Sequence, residues 1–105
     1  MIAPISQADG VLKNRPAIVL REMPPYGDLL LCGLSTQLHH EVEGFDEVLA
    51  PGDNDYNSSG VRATSLIRLG FLGMAAHRDV VGVIGSISLE RHKRLLKKLS
   101  DYLVE

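Results

Sequence analysis

Two short groups of residues carry side chains suited to phosphate chemistry. Arg15 stands before Pro16 at the start of an apolar stretch, and its planar guanidinium can hold two phosphate oxygens while it stays protonated. Ser35 and Thr36 come at the end of a second apolar stretch, where a hydroxyl can donate a hydrogen bond to a phosphate oxygen. His39 follows closely, and histidine is the side chain best suited to move protons near neutral pH.

Each of these residues also has a simpler interpretation. Arg15 could be a surface arginine in a turn, and the hydroxyls of Ser35 and Thr36 could satisfy backbone groups at a strand end. His39 and its neighbour His40 could be exposed loop residues. Adjacent histidines rarely converge on one ion, and no third ligand has a suitable spacing to them, so we expect no metal site.

The elements that would position these residues are predicted to be short strands. Five stretches with apolar or β-branched residues predict strands, namely 15–22, 29–35, 45–50, 65–69 and 80–86. The segment 51–60, PGDNDYNSSG, predicts a loop. Arg15 and Ser35 therefore fall at strand ends, where side chains can converge on one rim of a small barrel.

The C-terminal segment predicts one helix over about 89–103. Ser88 is a good N-cap, and Glu90 lies in the first turn, where a carboxylate is favourable. Spacings of three and four indicate one buried face, made of Leu89, His92, Leu96, Leu99 and Leu103. The lysines and arginines of this segment are assigned to the opposite, solvated face. Short strands with one terminal helix favour a mainly β fold, a small barrel, over a βαβ sheet.

Length and composition narrow the class of protein further. The 105 residues suffice for one domain over 1–105, and a net charge of −2 gives no overall basic field. Basic residues gather at the C-terminus and acidic ones between 41 and 55. Cys32, the sole cysteine, is expected to be buried and inert. No apolar run approaches the ~20 residues of a membrane helix, so we expect a cytoplasmic protein with no membrane partner.

Four sequence blocks, taken in order, resemble the MazF/PemK family of toxins. They read DGVLKNRPAIVL (9–20), GLSTQ (33–37), GVRATSLIRL (60–69) and IGSISLERHKRLLKKLSDYL (84–103), and together span almost the whole chain. Their order is more specific than any single block. The resemblance implies a mainly β, small SH3-like barrel of the MazF/PemK/CcdB type, with a C-terminal helix, that forms a homodimer.

The same resemblance implies the toxin of a type II toxin–antitoxin system, a metal-independent endoribonuclease that requires no cofactor. In this family the 2′-hydroxyl of single-stranded mRNA attacks the adjacent phosphorus at short sequences. The products are a 2′,3′-cyclic phosphate and a free 5′-hydroxyl. The implied partners are single-stranded RNA, a second copy of the chain, and a cognate antitoxin protein that blocks the RNA groove.

Two positions of the family carry over as expected catalytic residues. The arginine of the Arg-Pro step matches Arg15, which would stabilise charge on the phosphorane oxygens. The hydroxyl that begins the short motif ending in Gln matches Ser35. The residues predicted to contact RNA are Lys13, Asn14, Thr36, Gln37, His39, Tyr56, Arg62 and Arg68.

Aromatic residues that could stack on a base are scarce. The candidates are Tyr26, Phe45, Tyr56 and Phe71. Tyr56, in the long loop, is the preferred one, although a tyrosine there could equally cover the barrel.

The segment 70–76, GFLGMAA, departs from the family pattern. Many members carry Arg and Asp at this point, whereas this segment has no polar side chain. Either Arg68, His77 and Arg78 take over the role in catalysis or RNA contact that these residues have in the family, or activity is weak. The segment also favours a second hypothesis, a non-catalytic toxin on the same fold that binds a protein, as gyrase inhibitors do. A degenerate toxin that only binds antitoxin is a further alternative.

Overall fold

The computed structural model describes residues 1–6, 14–80 and 82–105. Its main feature is an antiparallel sheet of β1 (Ile2–Ser6), β2 (Asn14–Met23), β3 (Asp28–Ser35), β4 (Glu47–Leu49) and β5 (Ser65–Ala75). Two helices accompany it, α1 (Tyr56–Ser59) and α2 (Leu89–Leu103). The strand order is β1-β2-β3-β5-β4, so β3 lies between β2 and β5. Within the described ranges, no helix combines the length and the apolar character that crossing a bilayer requires.

The mainly β prediction with one C-terminal helix is confirmed. The predicted strands at 15–22 and 29–35 correspond to β2 and β3, and those at 45–50 and 65–69 to β4 and β5. β5 extends through the apolar segment 70–76 as far as Ala75, because residues 29–32 of β3 pair with residues 72–75 of β5. The segment predicted as a loop, 51–60, includes the single turn of α1.

The predicted strand at 80–86 is wrong. None of the described residues of that segment lies in a strand; Val80 and Gly85 are single bridge residues, and Gly85 pairs with Ile2. The reason is that its backbone partners are divided: Ile84 N–H donates to Ile2 at 2.9 Å, whereas Ser86 N–H donates to Ser58 at 2.9 Å. A ladder with one neighbouring strand therefore cannot continue through this segment.

The main hydrophobic core lies between one face of the sheet and α2. Its buried members are Ile2, Ile18, Leu20, Cys32, Leu49, Ile67, Leu69, Ile87, Leu95 and Leu99. Cys32 is buried, as predicted, and this burial, helped by the nearby carboxylate of Asp46, raises the pKa of its thiol to about 12. The thiolate is the reactive form of cysteine, so Cys32 is inert at neutral pH.

Helix α2 begins as predicted, and its buried face is partly the predicted one, because Leu99 is buried and His92 and Leu96 are half-buried. Ser88 Oγ accepts the N–H of Arg91 at 3.1 Å, which confirms the N-cap. The buried residues of the helix are Arg91, Leu95 and Leu99. Leu89 and Leu103, which were assigned to the buried face, are exposed. The assignment of Arg91 to the solvated face is also wrong, because carboxylates from two other segments surround its guanidinium.

We call these groups, Arg91 with Glu47, Asp53 and Asp55, the ionic cluster. The Arg91 guanidinium donates to Glu47 at 2.9 Å, to Asp53 at 3.0 Å and to Asp55 at 2.8 Å. Burial raises the pKa of Asp55, but hydrogen bonds from Arg91 and from the N–H of Ser88 outweigh it, so the pKa lies below its ordinary value. The cluster thus ties α2 to β4 and to the segment before α1.

Candidate functional site

Strand pairing brings Arg15 and Ser35 to the same edge of the sheet. β2 and β3 are antiparallel, with Ala17 opposite Gly33. The same register, continued by two residues, carries Arg15 towards Ser35 on the same face. On the other side of β3, Gly33 pairs with Arg68 of β5. Two arginines from different strands therefore flank the end of β3.

A cavity of 480 Å³, which we call the Arg15 cavity, is lined by Arg15, Ser35 and Arg68. Much of its remaining wall is apolar and includes Phe71, Leu72 and Met74, and it contains one carboxylate, that of Asp79. The two residues predicted to be catalytic thus share one cavity. This is the spatial condition that they must meet to act on one phosphate.

A second cavity, the Arg62 cavity, adjoins the first. It has a volume of 440 Å³ and is lined by Thr36 and Arg62. The two cavities share Pro16, Leu34 and Ser35, so Ser35 lies at their junction. Cations on both sides of one hydroxyl suit a polyanion whose successive phosphates occupy the two cavities.

The Ser35 hydroxyl is held by the backbone two residues further on. Ser35 Oγ accepts the N–H of Gln37 at 3.0 Å. This is the local backbone contact considered as the simpler interpretation of Ser35. Because the oxygen accepts this bond, its own hydrogen is not consumed and can be donated to another group. The contact therefore orients the hydroxyl and is compatible with phosphate binding.

The arginines of the two cavities, Arg15, Arg62 and Arg68, differ from Arg91 in their partners. In the described part of the chain, no carboxylate lies within salt-bridge distance of these three guanidinium groups. The guanidinium of Arg68 instead lies over the ring of Phe71, 5.0 Å from its centroid. An arginine without a carboxylate partner is available to bind an anion such as phosphate.

The other residues predicted to contact RNA differ in position. Some lie near the sheet edge that carries Arg15 and Ser35, and one lies outside the described residues. Lys13 lies outside the described residues, and Asn14 begins β2. Thr36 lines the Arg62 cavity. Gln37 is exposed and holds Ser35 through its backbone N–H.

His39 and Tyr56 line neither cavity. His39 is exposed on a 3-10 turn, Leu38–His40, with its ring centroid 4.2 Å from that of His40. Tyr56 is half-buried at the start of α1 and packs against the main core. The position of Tyr56 agrees with the alternative that this side chain covers the core.

One feature of the site that was not predicted from the sequence is a β-bulge in β5, in which residues 69–71 have no partner in β3. The adjacent residues Cys32 and Gly33 pair with Leu72 and Arg68, so the residues between these two partners are extra. Phe71 belongs to this bulge and lies in the Arg15 cavity. A sequence signal existed, because Gly70 interrupts the apolar run of the strand, and a glycine inside a strand often marks a bulge.

The fold is that of the MazF-type toxins. A solved structure, Mycobacterium tuberculosis toxin MazF-mt6, is similar to this chain with a TM-score of 0.67, over 98% of this chain and 96% of that one. The sequence identity is 18%. No family model matches the sequence, and no curated protein does. The fold expected from the resemblance is therefore confirmed, whereas function depends on the site itself.

Proposed function

We propose that this protein is the toxin of a toxin–antitoxin pair and an endoribonuclease that cleaves single-stranded RNA without a metal. The observation that carries the proposal is the Arg15 cavity, in which Arg15 and Arg68, without carboxylate partners among the described residues, flank the hydroxyl of Ser35. The fold shared with a solved toxin supports the broader part of the proposal.

In the proposed reaction the 2′-hydroxyl oxygen attacks the adjacent phosphorus and the bond to the 5′-oxygen breaks. The 2′-hydroxyl gives up its proton and the leaving 5′-oxygen gains one, so the step needs neither water nor a metal. The products are a 2′,3′-cyclic phosphate and a 5′-hydroxyl. Arg15 holds two phosphate oxygens and stabilises the charge that grows on them, a role that fits its permanent charge better than that of a base. Ser35 donates its hydroxyl hydrogen to a phosphate oxygen. Arg62 and Thr36 hold a flanking phosphate.

We further propose that the protein is a homodimer. Leu72 and Met74 of β5 are 43% and 56% exposed and pair with Cys32 and Leu30. β4 pairs only with residues 65–67 of β5. In the described chain, residues 72–75 of β5 therefore have a neighbouring strand, β3, on one side only. An exposed apolar patch beside an open strand edge is typical of an interface. Leu72 and Met74 also line the Arg15 cavity, so in this dimer the second copy would border the proposed RNA site.

Incubation of the purified protein with a long unstructured RNA in EDTA tests the nuclease proposal. We expect discrete fragments with 5′-hydroxyl ends, and we expect Arg15→Ala and Ser35→Ala to slow their formation by about 10²–10³-fold. Arg21→Ala is a matched control, because Arg21 is an exposed arginine of β2 that lines neither cavity. Intact RNA, or cleavage that requires an added divalent metal, would contradict the proposal.

The exposed apolar residues of β5 favour a second candidate, a toxin that binds a target protein and cleaves nothing. Under that proposal Leu72 and Met74 would contact the target. Growth arrest on expression combined with intact RNA in vitro would support it. Loss of growth arrest in Arg15→Ala with the expected loss of cleavage would support the nuclease instead.

A further inference from the structure

We propose that Phe71 and Arg68 form a nucleobase-binding subsite next to the phosphate position at Arg15 and Ser35. The inference rests on the proposed nuclease function and adds the chemical class of the group bound there, an unpaired base of single-stranded nucleic acid. It replaces Tyr56, the aromatic residue preferred on sequence grounds, with one that lies in the cavity.

The β-bulge of β5 determines where Phe71 lies. Arg68 and Leu72 pair with adjacent residues of β3, so the chain between them leaves the regular ladder. Asp46 supports the bulge from the inside, because its Oδ1 accepts the N–H of Leu69 at 3.0 Å. Bulges redirect side chains and are frequent beside functional sites. Here the bulge carries an aromatic side chain towards the end of β3.

Gly33 provides the space that the Phe71 ring occupies. A Cβ atom added at Gly33 would lie 2.8 Å from Cδ1 of Phe71, which is closer than such atoms approach. The ring therefore rests over a position without a side chain. Gly33 and Ser35 are two residues apart on one strand, and such residues point to the same face. The ring consequently lies on the face of β3 that carries the Ser35 hydroxyl.

Phe71 offers its ring to a ligand rather than to the core. The residue is 59% exposed, and the Arg68 guanidinium lies 5.0 Å from the ring centroid. Aromatic rings and arginine planes are the groups on which unpaired bases stack, and such stacking changes affinity by about 5- to 150-fold per base. A phosphate held by Arg15 would place the adjoining nucleoside within reach of this pair.

The other aromatic residues do not occupy comparable positions. Tyr56 packs against the core, and Phe45 packs against Tyr102, with 5.1 Å between their ring centroids. Tyr26 is 87% exposed, but it lies in the turn between β2 and β3, at the opposite end of these strands from Ser35. Phe71 is thus the aromatic residue that lines the Arg15 cavity.

The subsite can be tested with a single tryptophan, since the chain contains none. In Phe71→Trp the indole replaces the exposed ring and reports on stacking. We would titrate this variant with an uncleavable oligodeoxynucleotide and with an abasic oligomer of the same length. The base-bearing oligomer should quench the emission at saturation, and the abasic oligomer should leave it nearly unchanged.

Two further variants measure affinity by the anisotropy of labelled oligomers. Phe71→Leu removes the ring, and Gly33→Ala displaces it. Both should weaken binding of the base-bearing oligomer by about tenfold and leave the abasic oligomer unaffected. Tyr26→Leu is the matched control, because it removes an exposed aromatic ring far from the cavity, and it should bind like the wild type.

Three results would overturn the inference. If oligomers bind while the indole emission of Phe71→Trp and the affinity of Phe71→Leu stay unchanged, the base lies elsewhere, although the nuclease proposal stands. If the indole emission shifts with protein concentration before any oligomer is added, a second copy covers the ring. If the wild type neither binds oligomers nor cleaves RNA, the proposed function fails as well.

Discussion

The ionic cluster and the Arg15 cavity place the same type of side chain in opposite surroundings. In the cluster, the Arg91 side chain is 8% exposed and donates to three carboxylates. In the cavity, Arg15 is exposed, Arg68 is half-buried, and neither has a carboxylate partner among the described residues. Buried guanidinium groups must be paired, whereas exposed ones can remain available to a ligand.

This contrast explains how a chain with a net charge of −2 can offer an anion-binding surface. Three acidic residues of the middle segment pair with three basic residues of α2, namely Glu47, Asp53 and Asp55 with Arg91, Arg94 and Lys98. Glu47 alone accepts from Arg91 and Arg94 and lies 3.0 Å from the Lys98 ammonium. Among the described residues, the arginines of the two cavities take no part in these ion pairs. Overall charge therefore says little about where a polyanion would bind.

The largest expected effect is on stability, from breaking the ionic cluster. Arg91→Met should lower the free energy of unfolding by about 3–5 kcal/mol, because it leaves buried carboxylates without their counter-charge. Arg94→Met, at the half-exposed rim, should cost less than about 1 kcal/mol. Urea denaturation of both variants measures the difference. Equal effects would mean that burial does not distinguish the two arginines.

The second effect is on catalysis, from removing a cation of the cavity. Arg15→Ala should reduce the cleavage rate by about 10²–10³-fold, the usual effect of losing one group that stabilises transition-state charge. Its free energy of unfolding should stay within about 0.5 kcal/mol of the wild type. Single-turnover cleavage and urea denaturation check both halves. A large loss of stability would place Arg15 in the same class as Arg91.

The third effect is a dependence of stability on pH. Burial raises the pKa values of Glu47 and Asp55, but hydrogen bonds from arginine and lysine reverse the shift and hold them below their ordinary values. Between the folded and the unfolded pKa values of these carboxylates, the unfolded chain binds more protons than the folded one. Their contribution to stability is therefore complete above about pH 4.5 and declines as the pH falls below it.

Thermal unfolding between pH 2 and pH 7 should show this decline in the wild type. Arg91→Met should partly flatten the curve, because Asp55 loses the hydrogen bond and the counter-charge that lower its pKa. Glu47 keeps Arg94 and Lys98, the groups that lower its own pKa. Arg15→Ala serves as the control and should keep the wild-type slope. A slope that is unaffected by Arg91→Met would show that other groups control acid stability.

The smallest effect concerns the salt dependence of RNA binding. Each phosphate contact of a single strand contributes about 0.7 to the slope of log K against log salt. Arg62→Ala should therefore lower the slope by about 0.7. Arg94→Ala should leave it unchanged, because Arg94 is already paired with Glu47. Anisotropy titrations at several salt concentrations would measure both, and equal slopes for the two variants would contradict the comparison.

Local patterns were enough to predict most elements of the fold. Apolar stretches indicated β2 and β3, and a capping serine with apolar spacing indicated α2, because these signals depend on neighbours in the chain. The strand predicted at 80–86 failed, since Gly85 is held between β1 and α1. The buried face of α2 was partly misplaced because an arginine, which is normally exposed, is one of its buried residues.

By itself, the sequence determined that Arg15 and Ser35 stand at strand ends and that the chain closes with a helix. Tertiary structure alone decided which arginines are paired. Arg91 meets Asp55 across 36 positions of the chain, and Phe71 reaches Gly33 only because β5 bulges opposite β3. Both contacts depend on strand register and on the docking of α2. These are long-range arrangements, which the composition and spacing of neighbouring residues do not encode.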